Sequence, residues 1–143
     1  TLPTATRTGY TFKGWSTSAN DSVNVSTTTK VTGNVTYYAI WQINSYTLTV
    51  TAGTGGTVSG DGTYNYGETA TLTATPSAGY HFVKWNDDDT NASKTVTVTG
   101  NATYTATFEQ DPYLNLDKTS LTFEAVGGTQ TVNVTSNVNW TVS

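Results

Sequence analysis

The sequence contains no cysteine, no methionine, a single histidine and three prolines in 143 residues. Without cysteine the chain has no disulfide framework and no thiolate metal site, and its redox compartment stays undetermined. No apolar run approaches the roughly 20 residues that cross a bilayer. The chain does not begin with the basic and apolar regions of a signal peptide. We therefore expect no membrane insertion within this segment.

Charge and large aliphatic side chains are also scarce. Charged residues make up 11% of the chain, with six basic and ten acidic side chains and a net charge of −4. Six scattered cations do not form the phosphate-binding patch that a nucleic-acid partner requires, so that class is excluded. Threonine, by contrast, occupies 34 positions. Because β-branched residues suit the pleated surface of a strand, the composition predicts a mainly β protein with a thin core.

The chain repeats itself at two offsets. Self-similarity at a fixed offset indicates modular architecture. Both copies contain the motif Gly-Tyr-x-Phe-x-x-Trp and, further on, a strand that ends in an aromatic residue. At an offset of 70, Leu2, Gly9, Tyr10, Phe12 and Trp15 match Leu72, Gly79, Tyr80, Phe82 and Trp85, and at 67, Gly33, Asn34, Thr36, Tyr37, Ala39 and Trp41 match Gly100, Asn101, Thr103, Tyr104, Ala106 and Phe108.

Period-two alternation predicts strands within and around these motifs. No stretch of ten residues has helical spacing. We expect Trp15 and Trp85 to anchor the core, because buried aromatic rings contribute the largest apolar areas. The first copy lacks the front half that residues 46–75 give the second, so we expect its first strands to lie upstream. The expected strands cover residues 35–41, 48–52, 70–74, 96–98 and 102–108.

The residue pattern of the sequence changes after Glu109. The Gln110-Asp111-Pro112 break is followed by short strand patterns at residues 114–116, 121–123, 132–134 and 140–142, with a turn at Gly127-Gly128. Short strands at hairpin spacing are typical of a β-sandwich. Because Trp140 shares the alternation of its neighbours, we expect it in the core of that sandwich.

These motifs resemble known bacterial modules. Residues 2–41 resemble the second part of a Listeria–Bacteroides repeat, the internalin B-type repeat of bacterial surface proteins, through residues 8–15 and 35–41. Residues 46–108 resemble a divergent InlB B-repeat that keeps Tyr66-Gly67-Glu68 but has Lys84 in place of the glycine before the tryptophan and Phe108 in place of the last tryptophan. Residues 113–143 resemble the first part of a BACON domain, an immunoglobulin-like module common in Bacteroidetes.

The resemblance implies tandem β-grasp-like repeats followed by the N-terminal part of an immunoglobulin-like β-sandwich. The expected modules cover residues 1–43, 44–110 and 111–143. It also implies a secreted or cell-surface bacterial protein without catalytic residues or a cofactor. The leading hypothesis is a non-enzymatic stalk, spacer or adhesion module next to further repeats of the same parent chain, since serial copies supply reach.

Catalytic and metal-binding chemistry finds little support. His81 lies inside the repeat motif, and the matching residue of the first copy is Thr11, so we interpret it as an exposed strand or turn residue. The run Asp87-Asp88-Asp89 supplies hard oxygen ligands for Ca²⁺, but it lacks the spacing of an EF-hand. We favour a solvated acidic turn over a metal site.

Paired tyrosines suggest an alternative function. Tyr38 beside Tyr37, and Tyr64 with Tyr66, could present rings that stack on sugars or contact a host surface protein. A carbohydrate-binding accessory module of a glycan-degrading surface protein is therefore the second hypothesis. Cross-strand packing in a protein short of aliphatic residues is the simpler explanation of the same rings.

The incomplete end modules carry a prediction of their own. Residues 1–43 and 113–143 are expected to show less protection from hydrogen exchange than residues 46–108, unless neighbouring copies supply missing strands by edge pairing.

Overall fold

The computed structural model describes residues 1–122 and 126–141, and the ordered elements are all β-strands. Among those residues there is no helix, so none is long and apolar enough to cross a membrane. The mainly β fold expected from the composition is confirmed. The strands are β1 (Tyr10–Ser16), β2 (Tyr38–Ile43), β3 (Ser45–Ala52), β4 (Gly56–Ser59), β5 (Gly62–Asn65), β6 (Thr69–Pro76), β7 (Tyr80–Trp85), β8 (Ser93–Thr97), β9 (Ala102–Gln110), β10 (Leu114–Leu116) and β11 (Val134–Ser136).

The sequence repeat is also a structural repeat. In the first copy β1 pairs antiparallel with β2, and in the second copy β7 pairs antiparallel with β9. Each pair carries one irregularity, at Lys13 and at Val83, so the two registers coincide residue for residue. Paired residues are Phe12 with Trp41 and Trp15 with Ala39 in the first copy, and Phe82 with Phe108 and Trp85 with Ala106 in the second.

The same aromatic cluster recurs in both copies. Phe12 packs edge-on against Trp15 and Trp41, with ring centroids 5.4 and 5.5 Å apart. In the second copy the centroid of Phe82 lies 5.6 Å from that of Trp85 and 5.9 Å from that of Phe108. The repeated aromatic motif therefore specifies an antiparallel strand pair with a cluster of aromatic rings on one face.

The second repeat is a two-layer structure. One layer is a four-stranded sheet in the order β5-β3-β9-β7, in which β3 and β9 run parallel at the centre. The other is a three-stranded antiparallel sheet in the order β4-β6-β8. A mixed sheet with a parallel central pair is the strand arrangement of a β-grasp-like module.

The buried core lies between these two layers. Trp85 is fully buried, and its indole Nε1 donates a hydrogen bond of 2.9 Å to the carbonyl of Asn91. Because a buried indole needs a partner for its N–H, this bond completes the anchoring that the sequence predicts for Trp85. The buried apolar residues are Leu48, Ala70, Leu72, Ala74, Trp85, Val98, Ala106 and Phe108.

The first repeat carries a thinner core than expected. Trp15 is only half-buried, because no second sheet covers it in the described part of the chain, although its Nε1 bonds the carbonyl of Pro3 at 2.9 Å. The predicted strand over residues 35–41 begins late, at Tyr38, and Val35 is 51% exposed. The equivalent residues of β9 are paired by β3, whereas β1 reaches only as far as Tyr38.

In the last region, residues 111–122 and 126–141 hold one pair of short strands. β10 pairs antiparallel with β11, and Asp117 accepts hydrogen bonds from the backbone and side chain of Asn133. The prediction that Trp140 is a core residue is wrong, because Trp140 is 47% exposed and no second sheet lies over this pair in the described residues. Leu121 and Thr122 lie outside any strand, and Phe123 and Val142 fall outside the described residues.

Candidate functional site

The structure separates the three candidate binding tyrosines. Tyr64 is half-buried against the core and its hydroxyl donates to the carbonyl of Gly60 at 3.0 Å. Tyr66 is half-buried and packs against Tyr46, with ring centroids 6.5 Å apart. Tyr38 is 40% exposed. The three rings therefore do not form one exposed platform, and Tyr38 is the one that faces solvent.

The three consecutive aspartates are held by two lysines and by Asn91, and Asp87 and Asp89 both lie near Lys94. Asp88 has a positive φ of 64°, and its carboxylate accepts a hydrogen bond from Lys84. The carboxylate of Asp87 accepts one of 2.6 Å from Lys94. The carboxylate of Asp89 accepts one from the backbone N–H of Asn91. The side chain of Lys94 is only 7% exposed and its ammonium lies 4.8 Å from the ring centroid of Tyr104. Among the described residues no group of three metal-ligating side chains converges. The loop is an ion-paired turn, and a calcium ion there would have to displace lysine.

This loop should respond to acid. The backbone N–H of Asn91 donates a hydrogen bond of 2.9 Å to Asp89 Oδ1 and holds the pKa of Asp89 below its ordinary value. Desolvation raises this pKa, whereas the side-chain amide of Asn91 and the charge of Lys94 lower it further. A carboxyl whose pKa is lowered by folding stabilises the loop above about pH 4 and loses that contribution as the pH falls through the lowered value. We expect the Asn91 amide resonance to titrate with a midpoint below about 3.9.

An Asp89→Asn variant serves as the control, because it keeps the side-chain shape and removes the titrating group. The acid-dependent shift of the Asn91 amide should then disappear. A midpoint at or above the ordinary aspartate value in the unmodified chain would show that the Asp89–Asn91 bond is not formed in solution.

One residue joins the first repeat to the second. Asn44 lies between β2 and β3, and its N–H donates to the carbonyl of Gly9 at 2.9 Å. Its side-chain Oδ1 accepts a hydrogen bond of 2.6 Å from Thr11 Oγ1. Its carbonyl accepts from the N–H of Tyr66 in the second repeat at 2.8 Å. Asn44 is therefore bonded backward to one repeat and forward to the next.

Gly9 strengthens the same junction. Its φ is +77°, and a Cβ placed there would overlap the ring of Tyr66. The close approach of the Tyr66 ring to the Gly9 backbone thus brings the second repeat directly onto the turn that precedes β1. We call Gly9, Thr11, Asn44 and Tyr66 the first linker clamp.

The second junction has the same design with different side chains. Asp111 follows β9, its N–H donates to the carbonyl of Gly79 at 2.8 Å, and its Oδ1 lies 2.8 Å from Nδ1 of His81. The carbonyl of Asp111 accepts from Asn137 Nδ2 at 2.9 Å, and Asn137 Oδ1 accepts from the N–H of Tyr113 at 2.9 Å. We call Gly79, His81, Asp111 and Asn137 the second linker clamp.

The position of His81 confirms its interpretation as an exposed strand residue. It lies in β7 with its side chain 52% exposed, and its bonding partner is the linker carboxylate. The role of His81 in the second clamp is that of Thr11 in the first.

A shallow groove of about 500 Å³ lies at the first junction. Three polar groups of its lining residues are already used, since Thr11 Oγ1 donates to Asn44 Oδ1 and Ser45 Oγ donates to Asn65 Oδ1 at 2.9 Å. The groove is therefore a surface feature of the clamp. Its lining residues are Thr11, Gln42, Ile43, Asn44, Ser45 and Tyr46.

The linker residues are the feature that motif-based reasoning missed. Asn44 and Asp111 are 67 positions apart, which is the offset of the second half of the repeat, and Thr11 and His81 are 70 apart, which is the offset of the first half. Continuing the self-comparison three positions beyond Trp41 would have paired the two linker positions. The match is not obvious from residue identity, because one position is asparagine and the other is aspartate. In the structure the amide oxygen and the carboxylate oxygen occupy equivalent hydrogen-bonding positions.

Comparison with protein families agrees with this division. Residues 1–40 match the family model described as the Listeria-Bacteroides repeat domain, and residues 46–112 match the one described as the divergent InlB B-repeat domain. These matches confirm the first two resemblances noted in the sequence.

A relative covers most of the chain. A protein of Evansella cellulosilytica named "Putative Gly-rich membrane protein" is 35% identical over 135 residues, which cover 88% of this chain. The aligned region spans 14% of that relative's length. No solved structure matches the chain.

Proposed function

We propose, from the premise that two different InlB-type repeats stand in tandem here, that this segment is a non-catalytic spacer of a bacterial surface protein. The observation that carries the proposal is the linker clamp, which recurs at both junctions with the same backbone bond and the same side-chain bond. A spacer needs neighbouring modules to keep their orientation, and a clamp at each linker supplies that property.

The bonding at each linker supports a stiff joint. Asn44 makes two bonds to the first repeat and one to the second, and Asp111 makes two to the second repeat and one to the next region. A protein hydrogen bond contributes about 0.5–1.5 kcal/mol net. Three such bonds around one residue, together with the Gly9–Tyr66 contact, oppose rotation about the linker far more than a flexible Gly/Ser connection would.

The proposal extends to location and module boundaries. The modules are residues 1–43, 44–110 and 111–143, with the third taken as the beginning of a BACON-like domain. Secretion to the cell surface fits both the repeat families and the name of the Evansella cellulosilytica relative. Further repeats of the parent chain and a host surface protein are the partners that suit a spacer that also serves adhesion.

The experiment is ¹⁵N relaxation on the whole chain, which reports the tumbling of each module separately. Residues 10–43 and 46–110 should give the same rotational diffusion tensor, because the clamp joins them into one rigid body. An Asn44→Gly variant should uncouple the two tensors, whereas Asn34→Gly, at an exposed asparagine of the first repeat, should not. Two independent tensors in the unmodified chain would overturn the proposal.

A second candidate function, glycan recognition, rests on the exposure of Tyr38. An exposed ring on a strand can stack on the apolar face of a sugar. We expect Tyr38→Ala to abolish any glycan-array signal of the chain while changing the free energy of unfolding by no more than about 0.5 kcal/mol, as is usual for surface substitutions. A signal that survives Tyr38→Ala would exclude this ring as the contact.

A further inference from the structure

The second repeat places its first and last strands side by side. β3 opens the repeat, β9 closes it, and the two run parallel at the centre of the four-stranded sheet. Because the strands are parallel, the start of β3 and the end of β9 lie at opposite ends of the pair. The linker residues attach at these two ends, with Asn44 before β3 and Asp111 after β9. Tension between neighbouring modules therefore pulls the two strands in opposite directions along their length.

A pull in this direction loads the β3–β9 pair in shear. The pair extends from Leu48 opposite Ala102 to Ala52 opposite Ala106. Backbone hydrogen bonds of a parallel pair are evenly spaced along the strands, so shear strains all of them together. A pull across the strands instead breaks them one at a time. Since forced unfolding is governed by the unfolding rate, the geometry that must break several bonds at once resists the larger force.

Two hydrogen bonds extend the pair beyond its paired residues. At one end the side-chain Oδ1 of Asn101 accepts from the N–H of Thr47 at 2.8 Å. At the other end the N–H of Gly53 donates to the carbonyl of Ala106 at 2.9 Å. Both bonds join β3 or the residue after it to β9 or the residue before it. They therefore add to the number of bonds that a shearing load must break together.

The surroundings of the pair protect it from water. Leu48 and Ala106 are buried at 2% and 0% exposure, and Val50 packs against the same core. The outer edges of the pair are covered as well, since β5 pairs with β3 and β7 pairs with β9. Strained bonds in such a place are not readily exchanged for bonds to water, and breaking them leaves buried polar groups without partners. This raises the cost of sliding one strand past the other.

We propose that the β3–β9 pair is the force-bearing element of the second repeat and makes the repeat resist unfolding when the parent chain is under tension. This inference rests on the proposed spacer function, because a spacer at a cell surface transmits load from one end to the other. Residues 53–101 lie between the two strands in the chain and carry no load until the pair breaks. The second repeat therefore unfolds in one step.

The test pulls single molecules of the whole chain through two cysteine handles. The chain has no cysteine, so Thr47→Cys with Glu109→Cys, the shear variant, loads the pair along its strands. Thr47→Cys with Thr103→Cys, the opening variant, shares one handle and pulls the strands apart near their amino ends. All three positions are exposed. At equal loading rate we expect the unfolding force of the shear variant to exceed that of the opening variant by at least about twofold.

A substitution between the strands tests whether the pair itself carries the load. The hydroxyl oxygens of Thr51 and Thr105 are hydrogen-bonded at 2.8 Å across the pair, and Thr51→Val removes this bond while keeping the side-chain shape. The unfolding force of the shear variant should fall, and that of the opening variant should stay unchanged. Thr69→Val, at an exposed position of β6, is the control and should change neither force. An equal fall with Thr69→Val would overturn the assignment to β3 and β9.

The direction of load and the number of steps decide the outcome. Equal unfolding forces in the two variants, or a larger force in the opening variant, would overturn the proposal. Release of the shear variant in several steps would also overturn it, because residues between the strands would then unfold before the pair. We expect chemical denaturation to give both variants the same free energy of unfolding, so that the difference in force reports the direction of load. None of these results bears on the linker clamps, whose test is the tumbling of the two modules.

Discussion

Replacing Trp85 by alanine should lower the free energy of unfolding of the second repeat by about 3–5 kcal/mol, the usual cost of deleting a large buried aromatic side chain. Trp85 is fully buried between the two sheets, contacts Phe82, and donates its indole N–H to Asn91. The substitution therefore opens a cavity and leaves the carbonyl of Asn91 without its partner. Chemical denaturation followed by the amide resonances of residues 46–110 measures the loss.

Trp15→Ala is the matched control, because Trp15 occupies the equivalent position of the first repeat but is only half-buried. Its loss should cost less than that of Trp85 and should be seen in residues 10–43. Equal losses at the two sites would contradict the conclusion that the second repeat holds the buried core of the described chain.

Replacing Gly9 by alanine should disrupt the first linker clamp. The residue has φ +77°, and the added methyl group would overlap the ring of Tyr66, so both the backbone and the ring must move. The left-handed conformation alone costs a non-glycine residue about 1–2 kcal/mol. Forcing a group into an occupied space costs about 1–3 kcal/mol more. The amides of Asn44 and Tyr66 should shift, although Tyr66 is 57 positions away in the chain.

Gly79→Ala separates these two effects. Gly79 has the same φ of +77° at the equivalent position of the second repeat, but nothing lies within 4 Å of the added Cβ. It should show the backbone cost alone, with perturbations confined to residues near β7 and Asp111. Equal stability losses for the two alanine variants, without any change at Tyr66, would show that the Gly9–Tyr66 contact does not form in solution.

Much of the fold could be predicted because the two copies of the repeat can be compared with each other. The offsets of 70 and 67 paired Phe12 with Phe82 and Trp15 with Trp85, and the structure places these residues at identical registers. The alternation over residues 48–52, 70–74 and 102–108 also predicted strands correctly, since each of these segments has a neighbour on both edges.

Strand prediction failed where the described part of the chain holds no pairing partner. Alternation shows that a segment can form a half-buried strand, but hydrogen bonds to a neighbour are what make it one. Residues 35–37 and Trp140 both have strand-like sequence patterns, but neither lies in a strand. Val35, Thr36 and Trp140 are exposed, and Tyr37 is half-buried. In each case the side-chain alternation is that of a strand, but the sequence pattern of the segment does not show whether a neighbouring strand pairs with it.

The candidate tyrosines do not share one exposed surface, and the reason is a different one. Tyr64 and Tyr66 lie two positions apart, and the sequence suggested that both rings could be presented to a ligand. Tyr64 instead packs on the core of its own repeat, while Tyr66 packs on Gly9 of the preceding one. Contacts that cross from one repeat to the next depend on module orientation, which alternation within one segment does not encode.

The most direct test of the linker clamp is a distance distribution between spin labels on the two repeats. The chain has no cysteine, so Lys13→Cys and Thr95→Cys, both at exposed positions, give one label on each repeat. We predict a single narrow distribution in the otherwise unmodified chain and a broad one after Asn44→Gly. A broad distribution with Asn44 in place would contradict the claim that the linker residue fixes the orientation of neighbouring repeats.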